Sequence, residues 1–222
     1  MIYLTVILAI FFIIVRTFKG GLIALLLKIV ASVSFIALGL YYLNADYTTT
    51  KMLICGGLVF GLIGDILLDL KIIYPENNNT YLFSGMISFI FQHITVFIAI
   101  TLITNNTIIK DNIIIILVIP IIITIIGFFS FKFLKMELKN ALLISLLYLF
   151  LLVYVTMYYL VSTIKDINLV YLLIGMILFI LSDLVLSFMY FKDNQKNKYM
   201  IVINHSLYYA AQILIASQIL FL

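Results

Sequence analysis

Long apolar runs alternate with short polar breaks along this chain. The breaks fall at Asn44 to Lys51, Pro75 to Thr80, Asn105 to Asn112, Phe131 to Asn140, Lys165 to Asn168 and Lys192 to Lys198. The apolar segments they separate run approximately over 1–15, 21–43, 52–70, 81–104, 113–129, 141–163, 169–191 and 200–222. A helix needs about 20 apolar residues to cross the hydrocarbon of a bilayer, and only helices or closed barrels can do so. Strict apolar–polar alternation is absent and the runs are too long for barrel strands. The pattern therefore predicts an all-α, polytopic membrane bundle of eight transmembrane helices. The first and fifth are short, and Pro120 is expected to kink the fifth. Residues 1–222 are expected to form a single membrane-embedded domain, with nothing left over for a soluble one. The first segment has no basic residue ahead of its apolar run. Arg16 and Lys19 follow it, so it is expected to be a retained helix and not a cleaved signal.

Composition agrees with this reading. Hydrophobic residues make up 66% of the chain and charged residues 10%, against about 25% charged in an ordinary globular protein. The net charge of +4 is modest, and its distribution reports membrane topology and not nucleic-acid binding. Odd-numbered loops carry Arg16, Lys19, Lys71, Lys132, Lys135, Lys139, Lys192, Lys196 and Lys198. Even-numbered loops carry only Lys51, Lys110 and Lys165. The positive-inside rule then places the odd loops in the cytoplasm and both termini outside, in a multi-pass protein of the cell membrane. The single cysteine, Cys55, excludes a disulfide framework and any multi-cysteine metal site. Two histidines exclude a site that needs three, and neither metal nor cofactor is expected.

Ionisable groups inside hydrocarbon are costly unless paired or hydrated, and are candidates for function by default. They are Lys28, Asp65, Asp69, His93, Asp183 and His205. Counted from the cytoplasmic ends of their helices at about 1.5 Å per residue, Asp65 and His205 lie roughly 8 Å deep, Lys28 roughly 10 Å and Asp183 roughly 12 Å. Four groups from four helices thus share one depth. Asp69 sits at the interface one turn below Asp65, and His93 lies near the midplane. His205, Tyr208 and Gln212 fall on one face of the last helix, and Ser84, Ser88 and Gln92 form a stripe on the fourth beside Gly85 and His93. Gly57 and Gly61 make a small-xxx-small pair that permits close helix contact. Gly57 precedes Asp65 at the same spacing as Gly175 precedes Asp183, which fits a four-plus-four parallel repeat with the two aspartates meeting in a central cavity.

Each of these residues also has a plainer reading. The aspartates can be a hydrogen-bond network that fixes packing, and Lys28 can snorkel to the interface. His93 can be a helix-to-helix hydrogen-bond partner, His205 a solvated group, and Asp69 an interfacial charge. Tyr208, Tyr209 and Gln212 can line a cavity or simply pack.

Lys28, Gly64-Asp65 with Leu68, and Gly85, Phe89 and His93 form an ordered set, one mark or group per helix. Gly175, Phe179, Ser182-Asp183 and Phe188 continue it, and Tyr208-Tyr209-x-Ala211-Gln212 closes it. In this set the chain resembles the YhhN-type lysoplasmalogenase family of eight-span membrane proteins, from about residue 20 to the C-terminus. It departs from the family pattern at Ile29, where proline is common, and at Ile94 to Phe97, where a tyrosine is common. The resemblance implies hydrolysis of the vinyl-ether bond of a lysoplasmalogen to a fatty aldehyde and a glycerophospho-alcohol. It makes a lysophospholipid the substrate, Asp65 and Asp183 the catalytic pair, and Lys28, His93, His205, Tyr208, Tyr209 and Gln212 the substrate-binding set. The partners are then lipids and not nucleic acid. The chemistry fits. A vinyl ether opens by protonation of carbon, which needs an acid and an anion facing the developing cation. A small ion-coupled transporter using the same aspartates is the main rival. An intramembrane aspartyl protease fits less well, since Gly61-Leu-Ile-Gly64-Asp65 has one residue too many between its glycines.

Overall fold

The structure is a computed structural model, and it describes residues 1–104, 111–192 and 197–222, without the side chain of Lys139. Lys110 and Lys196, both counted in the charge balance, lie outside the described residues. The helices are α1 (Ile2–Phe18), α2 (Gly21–Leu43), α3 (Thr49–Ile73), α4 (Asn78–Thr101), α5 (Ile119–Phe133), α6 (Leu142–Lys165), α7 (Val170–Phe191) and α8 (Lys198–Ser217). A 3-10 turn, Gln218–Phe221, extends α8. Among the described residues there is no strand. Seven of the spans are long and apolar enough to cross a membrane, and α1 is a shorter apolar helix. The chain is thus a polytopic helical membrane protein.

Local chemistry sets the ends of these helices. The Thr48 side chain accepts from the Lys51 N–H to start α3, and Asn197 accepts from Tyr199 and Met200 to start α8. Gly20 and Gly21, both with φ near +65° (64° and 65°), carry the turn between α1 and α2, a backbone that other residues rarely adopt. α3 runs further than its apolar core, taking in Lys51 and Lys71 at either end. The fifth span departs from regular α geometry where expected: a π-helical turn, Ile114–Val118, sits directly before Pro120.

Two antiparallel hairpins build the core. In the first, α3 and α4 touch almost backbone to backbone. A Cβ on Gly57 would lie 2.7 Å from Val96 Cγ2, one on Gly64 2.7 Å from Phe89, and one on Gly85 2.7 Å from Leu68. In the second, α7 meets α8. Gly175 packs there against the Ala211 carbonyl, which its Cβ would approach to 3.2 Å, and Ser182 and Asn204 exchange hydrogen bonds. Gly57 and Gly175 thus do the same work in the two hairpins. α1 packs on α2 and α8. α5 is the exception. It leans on α6, and 11% of its span is buried, against 50% for α6. The loop after α5 is tied to α7 by the Glu137 N–H donating to the Phe191 carbonyl at 3.0 Å.

Candidate functional site

Three helices each contribute a pair of polar side chains at i and i+4, which places both members on one face. They are Lys28 and Ser32 on α2, Asp65 and Asp69 on α3, and Tyr208 and Gln212 on α8. The close α3–α4 hairpin and the packing of α8 against α2 bring these faces together.

Lys28 Nζ lies 3.2 Å from Asp65 Oδ1 and 3.2 Å from Asp69 Oδ1. Arg16, from the end of α1, approaches Asp69 Oδ2 at 3.7 Å. The Ser32 hydroxyl donates to Asp65 Oδ2 at 2.5 Å, and the Tyr208 hydroxyl to the same oxygen at 2.8 Å. Gln212 Nε2 donates to Tyr208 Oη at 3.0 Å, and Gln212 and Gln92 exchange amide hydrogen bonds at 2.9 and 3.2 Å. A continuous polar file therefore runs Arg16, Asp69, Lys28, Asp65, Tyr208, Gln212, Gln92. Lys28, Asp65 and Asp69 are all buried. Buried charges need this density of partners, because breaking one such pair typically costs about 3–5 kcal/mol.

Asp183 has other surroundings. It is half-buried, and its Oδ2 accepts from the Tyr148 hydroxyl on α6 at 2.6 Å. Among the described residues no cation pairs with it. Two cavities meet beside it. One, of about 20 Å³, is lined by Lys28, Asp65, Asp183, Asn204, His205 and Tyr208. That is room for about one water among polar partners. The other, of about 490 Å³, lies among α4, α5, α6 and α7 and is almost wholly apolar. This volume is within the range of small-molecule pockets. Leu68, Phe89, Asp183, Leu186 and Tyr190 form walls of both.

Of the residues singled out in the sequence, Lys28, Asp65, Asp183, His205 and Tyr208 thus line one small cavity. Gln212 stands behind Tyr208. Tyr209 faces α2, within 3.3 Å of the Ser32 hydroxyl and donating to the Lys28 carbonyl at 3.4 Å. His93 lines neither cavity. Its ring meets Phe179 edge-on at 4.5 Å, and its Nε2 has no hydrogen-bond partner among the described residues. Three plainer readings are corrected. Asp69 is not an interfacial charge but a buried ion-pair partner, and Lys28 does not snorkel but turns inward to both carboxylates. His205 is likewise buried, its ring packed at 4.9 Å on Phe12.

Sequence reasoning counted Arg16 only as a loop cation and passed over Ser32, Tyr148, Tyr190 and Asn204. Ser32 was findable one turn after Lys28 on the same face. Tyr148 carried no signal, being one of 15 tyrosines. Lys71 was counted as a loop cation, yet it is buried, with Nζ 3.5 Å from the centre of the Tyr190 ring. Among the described residues no three of His, Cys, Asp and Glu converge as metal ligands.

Comparison with curated proteins and with solved structures gave no significant match. A family model does match, over residues 17–219, nearly the whole chain and all of α2 to α8, while Arg16 and most of α1 precede the match. The chain belongs to the YhhN family.

Proposed function

We propose that this protein is a lysoplasmalogenase-type hydrolase of the cell membrane, which cleaves the vinyl-ether bond of a single-chain phospholipid. Asp183 is the acid and Asp65 the anion. The observation that carries this reading is the position of Asp183, between an apolar cavity sized for a lipid chain and a polar cavity sized for a water. Family membership supports the hydrolase assignment. With odd loops in the cytoplasm, the lipid comes from the cytoplasmic leaflet.

Asp65 accepts from Lys28, Ser32 and Tyr208, the partner set of a carboxylate. Asp183 has one donor and faces open space. In the reaction the Asp183 carboxyl gives its proton to the alkene carbon distal to oxygen. The C=C pair forms the new C–H bond, and positive charge develops on the adjoining carbon and the ether oxygen. Asp65 faces that charge across the small cavity. Water adds to the cationic carbon and returns a proton to Asp183. The resulting hemiacetal passes its hydroxyl proton to the ether oxygen as the C–O bond breaks, giving aldehyde and alcohol. Lys28 and Tyr208 hold Asp65, and Tyr148 orients Asp183.

The deciding experiment incubates purified protein with a lysoplasmalogen and with its ester-linked analogue. Free aldehyde from the first and little turnover of the second is expected, because an ester needs a nucleophile and an oxyanion hole. Turnover in D₂O is expected to be slower than in H₂O, since a proton moves to carbon. Equal cleavage of the ester would overturn the assignment.

A further inference from the structure

Among the polar side chains in the wall of the large cavity that the mechanism does not use, one is both buried and without a hydrogen-bond partner among the described residues. Ser145, near the start of α6, is 6% exposed and lines the cavity. Its hydroxyl has no hydrogen-bond partner among the described residues. Serine and threonine inside a helix ordinarily return the hydroxyl to the carbonyl four residues back. Thr156, Ser162 and Thr163 on the same helix do so, at 2.7, 2.8 and 2.7 Å. Ser145 does not. A buried hydroxyl left without a partner costs about 1–3 kcal/mol, so a partner supplied by a ligand would be bound with that preference.

Its position tells what that partner is. Ser145 precedes Tyr148 by three residues, so it lies on the same face of α6, about 4.5 Å nearer the α5–α6 loop. Tyr148 holds Asp183, where the scissile bond sits in the proposed reaction. The cavity continues past Asp183 to Thr156, Met157 and Ile177, and at the loop end it reaches Leu134 and Met136. A lipid with its chain in the deep half and its head toward the loop puts the glycerol one turn below Asp183, at Ser145. The described residues that line the cavity include no lysine or arginine. The group that meets Ser145 is therefore neutral and not a phosphate. In a single-chain glycerolipid that group is the free hydroxyl on the carbon next to the ether-bearing one. A second acyl chain there removes the donor and needs room beside Ser145.

We propose that Ser145 is a specificity-determining residue that hydrogen-bonds the free glycerol hydroxyl of a single-chain lipid and so selects it over the same lipid lacking or masking that hydroxyl. This rests on the hydrolase reading for the orientation of the lipid, but its test does not depend on turnover.

The test is competition binding to purified protein with two saturated alkyl-ether lysolipids, which have no vinyl bond to cleave. One carries the free hydroxyl and the other is its deoxy analogue. The native protein should prefer the hydroxyl form about tenfold, the worth of one hydrogen bond to an otherwise unpaired group. Ser145→Ala should bind both forms alike, and Ser145→Thr, which keeps a hydroxyl, should retain a preference. Circular dichroism and size-exclusion profiles confirm that each variant is folded. An undiminished preference in Ser145→Ala, or none in the native protein, overturns the proposal. Selective binding without aldehyde release from a vinyl-ether substrate would sink the hydrolase reading and leave the Ser145 contact standing.

Discussion

Around Asp65 the helices meet through glycines, and nearly every polar side chain is hydrogen-bonded or ion-paired. Around Asp183 one face opens on a cavity of about 490 Å³, a single tyrosine holds the carboxylate, and a serine hydroxyl one turn away has no partner. The two aspartates stand at matching points of matching hairpins, yet one is clamped and the other is reachable. A bundle fixes a charge by surrounding it with donors on several helices. It keeps a group available by leaving a neighbouring helix, here α5, out of the packing. In the proposed reaction, an anion that must not move and an acid that must meet its substrate call for these two environments.

The sharpest test of the contrast uses isosteric replacement of each carboxylate. Asp65→Asn and Asp183→Asn should each lower aldehyde release by about 10²–10⁴-fold, the usual worth of general-acid or matching electrostatic assistance. Thermal unfolding in detergent should separate them. Asp65→Asn disturbs a site held by Lys28, Ser32 and Tyr208, whereas Asp183→Asn disturbs one hydrogen bond. Equal losses of Tm would mean the surroundings are not as different as they look. Full activity in either variant would remove that aspartate from the chemistry.

Next in size is Lys28→Met. It leaves Asp65 and Asp69 buried with Arg16 as the remaining cation, and should cost about 3–5 kcal/mol in denaturant unfolding. A stable, active variant would show that the ion pairs are dispensable.

Two glycines compare the packing directly. At Gly61 a Cβ would lie 2.5 Å from Gln92 Oε1 and 3.0 Å from Gln212 Nε2, within the amide pair. Gly61→Ala should destabilise by about 1–3 kcal/mol through overpacking. At Gly127 on α5 a Cβ would meet only the end of Leu149, which borders the cavity and can turn into it. Gly127→Ala should be neutral or stabilising by up to about 1 kcal/mol, as helix propensity favours alanine.

The smallest expected effect comes from filling the space. Val153 is buried on α6 and lines the large cavity. Val153→Phe should leave Tm nearly unchanged but raise KM for a long-chain substrate about tenfold, the scale of a misfitted apolar group. A short-chain substrate should be affected less. An equal rise for both would place the chain elsewhere.

Much of this was legible in the chain itself. All eight helices among the described residues follow from apolar runs, because lipid forbids any other way of pairing the backbone. Lys28, Asp65 and Asp183 stood out because a charge in an apolar run is rare. Tyr148 and Ser145 did not, since neither residue type is unusual in a membrane helix and only three-dimensional packing shows what each faces. The burial of Asp69 was missed for a related reason. Depth along a helix was readable, but which neighbours covered it was not, and Arg16 comes from a helix far away in sequence. The large cavity was invisible because α5 is as apolar as its neighbours. What sets it apart is the packing it does not make.

The polar file that begins at Arg16 ends at the paired amides of Gln92 and Gln212. An amide is neither acid nor base at physiological pH, so a proton that reaches Tyr208 finds no onward site. Past the pair, α3, α4 and α8 contribute Leu58, Val96, Ile100 and Ile215 to the buried core. Each charge crossing a membrane dissipates about 2.3 kcal/mol per 100 mV of potential. In the topology and reaction proposed above, the amide pair would serve as an electrical seal, ending the file of charged groups within one leaflet, where an ion-coupled carrier would need a relay that continues.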